Sequence, residues 1–326
     1  MQVLVTGASG FVGLNLVRAL LAEGHTVRCL VRGAAPGLDR LEVEQVRGDT
    51  TEPDSLPPAF AGVELVFHLA ALIQVGAVDP EPLFKCNVQG PHNVAAACLA
   101  AGVRRMVHCS SIHALYDHPL YAPIDETRAL ALSDDCQPYA RSKAEGELKV
   151  LEAVARGLDA VICNPTAVIG PWDLRPSHLG ELLILLQQRR LPALIDAAYD
   201  WVDVRDVAWG LMAAAREGRR SERYLLSGHR ASMKELAQLT ERFSGAKAPT
   251  LVAPMALARL GAPFVAGWAR IRGTRPLYSP QSLAVLRGNT HITHAKASRE
   301  LGYRPRPLEE TIRDFFAWYL ENPAEG

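Results

Sequence analysis

The sequence has no excess charge of either sign: 35 Lys and Arg stand against 35 Asp and Glu. Without a net field, and without a basic stripe interleaved with aromatics, neither a nucleic acid nor an anionic membrane is expected as a partner, which leaves a small molecule. Cysteine is sparse, and the six present (Cys29, Cys86, Cys98, Cys109, Cys136 and Cys163) never fall in a C-x-x-C spacing. Their place in apolar runs predicts buried free thiols in a reducing compartment. Nor is there a basic N-terminal patch followed by an apolar segment and a small-residue cleavage site, so the expected location is the cytoplasm. Also missing is the uninterrupted run of about 20 apolar residues that a membrane-spanning helix needs. The nearest approach, 250–271, is broken by Pro254, Arg259, Gly261 and Pro263. It reads as a packing helix of a smaller domain, with peripheral membrane contact as the alternative. Histidine offers no metal site: the spacing of His108, His113 and His118 matches neither a helix face nor a strand face, and His291 and His294 lack a partner cluster. No internal repeat and no low-complexity tract is present.

What is there is a chain of 326 residues, 48% hydrophobic, long enough for one large domain or two unequal ones. Short β-branched runs alternate with longer segments of helical periodicity through the first half, the pattern of βαβ units and a parallel sheet. The expected strands are Gln2–Thr6, Thr26–Val31, Val43–Arg47, Leu65–His68, Arg105–Cys109 and Ala160–Cys163. Helices are expected between them at 11–23, 79–101 and 142–156, and later at 180–190, 206–217, 232–244 and 308–321. Beyond Pro165 proline and glycine punctuation thickens. The expected division is therefore 1–165 for the parallel-sheet domain, with returning segments near 200–230, and 166–326 for a mostly substrate-capping region.

The first strand runs into Gly7-Ala8-Ser9-Gly10-Phe11-Val12-Gly13, a G-x-x-G-x-x-G turn that opens an amphipathic helix. Glycines here let the backbone approach a diphosphate, which sits against the unpaired N–H groups and positive dipole end of the helix. With a strand before it and a helix after it, the turn identifies a dinucleotide site in a Rossmann-type, doubly wound α/β fold. After the second strand the sequence offers Arg32 and no acid until Asp39. A carboxylate there would bind both ribose hydroxyls of NAD, whereas a guanidinium grips a 2′-phosphate, so NADP(H) is expected, with NAD(H) as the alternative. Asp49 and Thr50 follow the third strand, where a carboxylate could accept from the adenine amino group or cap the next helical segment.

Tyr139-Ala140-Arg141-Ser142-Lys143 sets a phenol and an ammonium one helical turn apart, and a cation beside a phenol favours its ionisation. Upstream, Ser110 and Ser111 end the fifth strand at the carboxyl edge, where parallel sheets bind ligands. Through these motifs the chain resembles the extended short-chain dehydrogenase/reductase family, of the NAD-dependent epimerase/dehydratase type. The likeness extends over His68-Leu69-Ala70-Ala71, Asn87-Val88-Gln89-Gly90, the run Asn164 to Pro171, Trp201 to Ala208 and Leu301-Gly302-Tyr303, essentially the whole chain.

The resemblance implies that Tyr139 is the general acid/base, that Lys143 tunes it and holds the nicotinamide ribose, and that Ser111 orients the substrate oxygen. It further implies that the backbone of Leu69, Ala70 and Ala71 lines the cofactor, that Asn87 orders a helix or a proton relay, and that Pro165 and Val168 pack near the nicotinamide. Ile73, His113, Trp172, Tyr199 and Trp201 are candidate substrate-lining residues, each aromatic being equally a core candidate. Epimerases of this type usually carry asparagine where Ala167 stands and a tyrosine a few residues after the fifth strand, where this chain reads Ile112-His113-Ala114-Leu115. Both departures point to the dihydroflavonol-reductase and 3β-hydroxysteroid-dehydrogenase branch. The expected activity is ketone or aldehyde reduction, or alcohol oxidation, on an apolar or cyclic substrate. The alternatives are a sugar-nucleotide epimerase or dehydratase, and an NADP sensor without turnover. By the same analogy a homodimer is expected.

Overall fold

The computed structural model describes residues 1–73, 79–191, 193–254 and 288–322. In β1 (Gln2–Thr6), Val3 and Val5 enter one core layer and Leu4 the other, all three fully buried. A parallel strand covered by helices on both faces has to be apolar on both. The chain continues through β2 (Thr26–Val31), β3 (Glu44–Arg47), β4 (Leu65–His68), β5 (Arg105–Cys109), β6 (Ala160–Pro165), β7 (Ala167–Ile169), β8 (Leu194–Ile195), β9 (Ala198–Asp203), β10 (Arg223–Leu226), β11 (His229–Ser232) and β12 (Val252–Ala253). Seven of these form one all-parallel sheet in the order β3-β2-β1-β4-β5-β6-β10. Strand order reverses between β1 and β4, which opens a crevice at their carboxyl ends.

The six expected strands are present, with β3 starting at Glu44 and β6 extending to Pro165. The seventh, β10, was not expected, because Arg223-Tyr224-Leu225-Leu226 is too short to show a period; pairing with β6 makes it a strand.

Helices α1 (Phe11–Ala22), α2 (Pro57–Phe60), α3 (Glu81–Phe84), α4 (Gly90–Ala101), α5 (Pro138–Ala155), α6 (His178–Gln187), α7 (Val204–Glu217), α8 (Met233–Ser244), α9 (Ala295–Leu301) and α10 (Leu308–Glu321) complete the described elements. On one face of the sheet Leu14, Leu20 and Leu211, from α1 and α7, pack with Phe67. On the other, Phe60, Val94 and Val150, from α2, α4 and α5, pack with Leu4 and Ile162. A separate core gathers Leu183, Trp201, Leu236 and Phe316 from α6, β9, α8 and α10, beside the small sheet β11-β9-β7. Of the cysteines, Cys29, Cys98, Cys109 and Cys163 are buried, whereas Cys86 and Cys136 are half-exposed, and all six are free. Most of the interrupted apolar stretch at 250–271 lies outside the described residues. Among the described residues no helix is long and apolar enough to cross a membrane.

Candidate active site

The chain leaves β1 at Gly7, whose φ of 72° is open to glycine and rare for other residues. A Cβ at Gly7 would lie 2.6 Å from the Ala70 nitrogen, and one at Gly13 would lie 2.1 Å from the Gly7 oxygen. The turn is therefore pressed against both the exit of β4 and its own helix. Helix α1 starts without a side-chain cap and without an acid in its first turn, so its N–H groups face a ligand unopposed. Ser9 and Gly10 are exposed, Phe11 and Val12 half-buried. This cradle fits the diphosphate of a dinucleotide. Alongside it, Leu69 N donates to the Thr6 carbonyl at 3.1 Å and Ala70 N to Thr6 Oγ1 at 3.3 Å, which aligns the backbone through Ala71 with the turn.

At the end of β2, Arg32 is exposed, and Asp39, the next acid, accepts from Gln45 Nε2 at 3.0 Å. After β3, Asp49 Oδ1 accepts from the Thr51 amide at 2.8 Å and its hydroxyl at 3.0 Å, closing a turn. Thr50 is buried, its carbonyl accepting from Asn93 Nδ2 at 2.9 Å.

Extended Gln137 followed by Pro138 starts α5 and puts Tyr139 in its first turn. Ser111, at the end of β5, accepts from the His113 amide at 3.2 Å and hydrogen-bonds the Tyr139 phenol. The His113 ring meets the Tyr139 ring edge-on, 6.0 Å between centroids, and remains exposed. Lys143 is buried, and its Nζ donates to the Cys109 carbonyl at 3.2 Å. Tyr139, Lys143 and Ser111 thus converge at the carboxyl end of the sheet, as the sequence implied.

Burial pushes the Tyr139 pKa up to about 12, and the Ser111 hydrogen bond pulls it down. The ammonium is engaged with the end of β5, and desolvation of a phenolate outweighs the rest. Burial also lowers the Lys143 pKa, against Cys109 and Glu147.

Asn87 lies in a single π-helical turn, Lys85–Gln89. Its Oδ1 accepts from Leu72 N at 2.8 Å, while its Nδ2 donates to Leu72 O at 2.9 Å and to Ser142 Oγ at 3.0 Å. Ser142 in turn donates to the Tyr139 carbonyl at 2.8 Å, so Asn87 ties the exit of β4 to the first turn of α5. Pro165 is buried at the end of β6 and Val168 half-buried in β7.

Of the candidate wall residues, Trp201 is buried and Trp172 half-buried. Trp201 is 1% exposed, its Nε1 donating to the Ala231 carbonyl at 3.0 Å, and belongs to the second core. Trp172 is stacked by the Arg18 guanidinium, 3.7 Å from its ring, and packs 6.0 Å from Trp318. Large aromatics after a strand are drawn to whichever apolar face is being covered, and here that is α1 and α10. Tyr199 is half-buried, edge-on to Trp201 at 5.0 Å, and Ile73 is exposed just past Leu72. Sequence reasoning missed Glu147, fully buried on α5, and the part played by Asn164 beside it. The four-residue spacing of Tyr139, Lys143 and Glu147 was the available signal.

The sequence model of the NAD dependent epimerase/dehydratase family matches residues 3–227. The chain belongs to that family. Its relatives include the sterol demethylase protein B of Methylococcus capsulatus, 35% identical over 98% of this chain and 99% of that protein. Another is a putative dihydroflavonol 4-reductase of Synechocystis sp., 31% identical over 97% of this chain and 93% of that protein. The crystal structure of gox2253 superimposes with a TM-score of 0.85 at 33% identity, covering 98% of each chain. The protein is accordingly an NAD(P)-dependent enzyme of the epimerase/dehydratase family with a Rossmann-like α/β fold.

Proposed function

We propose that the protein is an NADP(H)-dependent oxidoreductase that reduces a ketone or aldehyde, or oxidises the matching alcohol, on a small apolar or cyclic substrate. The observation that carries this reading is the Tyr139 phenol hydrogen-bonded to Ser111 at the carboxyl end of the sheet, beside the exposed His113. A carbonyl oxygen brought to this pair receives hydrogen bonds from both hydroxyls. Bound in the glycine cradle, a nicotinamide dinucleotide supplies or accepts the hydride. Tyr139 gives its proton to the carbonyl oxygen as the alcohol forms, and the Lys143 ammonium on the next turn favours the phenolate left behind. Ser111 orients the oxygen and Asn87 holds α5 in register. The exposed guanidinium of Arg32, with Asp39 occupied by Gln45, favours a 2′-phosphate and hence NADP(H).

The substrate class draws on relatives named for a sterol and for a dihydroflavonol, both fused-ring oxygenated compounds. His113, Ile73 and Tyr199 are the residues offered for its wall. Purified protein should oxidise NADPH when given steroid or flavanone ketones and ignore UDP- and dTDP-sugars. Conversion of a nucleotide sugar without net change in cofactor absorbance would overturn the proposal in favour of an epimerase, and binding of NADPH with no turnover of any panel member would favour a sensor.

A further inference from the structure

Ser111 is held to the sheet by side chains that the proposed reaction does not use. Strands β5 and β6 stay joined as far as Ser110, whose N–H donates to the Cys163 carbonyl at 2.8 Å. One residue further on, Ser111 caps the short 3₁₀ turn Ile112–Ala114. Its carbonyl accepts from the Ala114 amide at 3.0 Å and from Asn164 Nδ2, on β6, at 2.8 Å. The first of these bonds is internal to the turn, whereas the second ties the turn to the sheet.

Glu147 decides how the Asn164 amide is turned. Nδ2 gives its other hydrogen to Glu147 Oε1 at 2.6 Å. A carboxylate and a carbonyl only accept, so an amide turned the other way would set its oxygen against two acceptors. The Glu147 side chain has no exposed surface, and its Oε2 accepts from Arg223 Nε, on β10, at 3.0 Å and from the same guanidinium's Nη2. A carboxylate buried this completely is tolerated only when it is paired and hydrogen-bonded. Glu147 lies about two helical turns beyond Tyr139 on α5, and the Tyr139 phenol hydrogen-bonds Ser111. The contacts therefore close a loop, from Tyr139 along α5 to Glu147, across Asn164 to Ser111, and back to Tyr139.

We propose that Glu147 is a positioning residue: through Asn164 it fixes the Ser111 carbonyl, and so the place of the Ser111 hydroxyl against the Tyr139 phenol. The proposal rests on the reading of Ser111 and Tyr139 as the reacting pair, but its first test needs no substrate. The chain has eight tyrosines, so protein labelled with ¹³Cζ-tyrosine gives a resonance for each, with Tyr139 assigned from the spectrum of Tyr139→Phe. Ser111→Ala marks where that resonance falls once the hydroxyl is gone. Glu147→Leu combined with Arg223→Met replaces the buried ion pair by apolar side chains, strands no charge and frees the Asn164 amide to turn. It should move the Tyr139 resonance toward the Ser111→Ala position while thermal unfolding remains cooperative, and should move it no further when Ser111→Ala is added. Glu147→Gln with Arg223→Gln keeps an acceptor for Asn164 and should leave the resonance near wild type. Asn164→Ala breaks the relay while leaving Glu147 paired with Arg223, and should repeat the shift even if the apolar pair does not fold. With a ketone substrate, Asn164→Ala should lower kcat by about tenfold alone and by less than about twofold beside Ser111→Ala. A Tyr139 resonance unmoved in Asn164→Ala, or a shift that adds to that of Ser111→Ala, would reduce Glu147 to a structural residue. That result would leave the reductase reading intact, because the reading stands or falls on turnover by the wild type.

Discussion

A phenol whose pKa is pushed up to about 12 keeps its proton throughout the neutral range, and Tyr139 is such a phenol. Phenylalanine there preserves the ring and removes only the donor. Tyr139→Phe should lower kcat by about 10²–10⁴, the usual loss of a positioned general acid, and change NADPH affinity by less than about 1 kcal/mol. Wild-type turnover in that variant would make the tyrosine a packing residue. Arg32 makes a different demand, because it bears on the adenosine end alone. Arg32→Ala should weaken NADPH binding by about 1.5–3 kcal/mol and spare NADH, as fluorescence titration of both cofactors will show; equal losses would mean that the arginine only supports the fold.

At the level of elements, the approach of α5 to the π-helical turn depends on Gly146, where a Cβ would lie 2.2 Å from the Asn87 carbonyl oxygen. Neither partner is adjacent in sequence, so nothing local marked this glycine. Helix α6 shows how an element start can carry a titration. Asp173 Oδ2 accepts from the Ser177 amide at 2.8 Å and its hydroxyl at 2.7 Å, while Oδ1 is buried with no hydrogen-bond partner. Burial pushes the carboxyl up to about 6 from 3.8. Between those values the folded chain binds more protons than the unfolded one, so this group's contribution to stability is full at low pH and is lost as pH rises through about 6. Measured by thermal unfolding, the stability of wild type relative to Asp173→Asn should therefore fall between about pH 4 and pH 7, by no more than about 3 kcal/mol. A difference that does not vary with pH would show that the carboxyl is not shifted.

For the molecule as a whole, the C-terminal segment is joined electrostatically to the start of α7. Arg306 places its Nε at 2.9 Å from Asp206 Oδ1 and its amide at 2.8 Å from Oδ2, while Arg205 bridges Asp203 and Asp314, both at 2.7 Å. Asp203 and Asp206 are nearly buried at the start of α7, so removal of a partner strands a carboxylate away from water. Arg306 keeps 25% of its side chain exposed, which tempers the effect. Arg306→Ala should cost about 2–3 kcal/mol in chemical denaturation, and Arg306→Lys should recover part of it. An unchanged midpoint for Arg306→Ala would show that the network is solvent-screened decoration.

The sequence by itself determined the glycine turn, the phenol and ammonium on one face of α5, the serine at the end of β5 and six strands of the sheet. Each of these is set by local backbone demands or by a short period, which neighbours in sequence express directly. Only the tertiary structure decided that Lys143 donates to the Cys109 carbonyl, that burial raises the Tyr139 pKa, that Trp201 packs into the second core, and that Arg223–Leu226 joins the sheet beside β6. Desolvation and pairing depend on which distant surfaces meet. Glu147 shows the difference: its spacing from Lys143 is visible in the sequence, but its burial is created by Asn164 and Arg223, which arrive from strands 17 and 76 residues further along the chain.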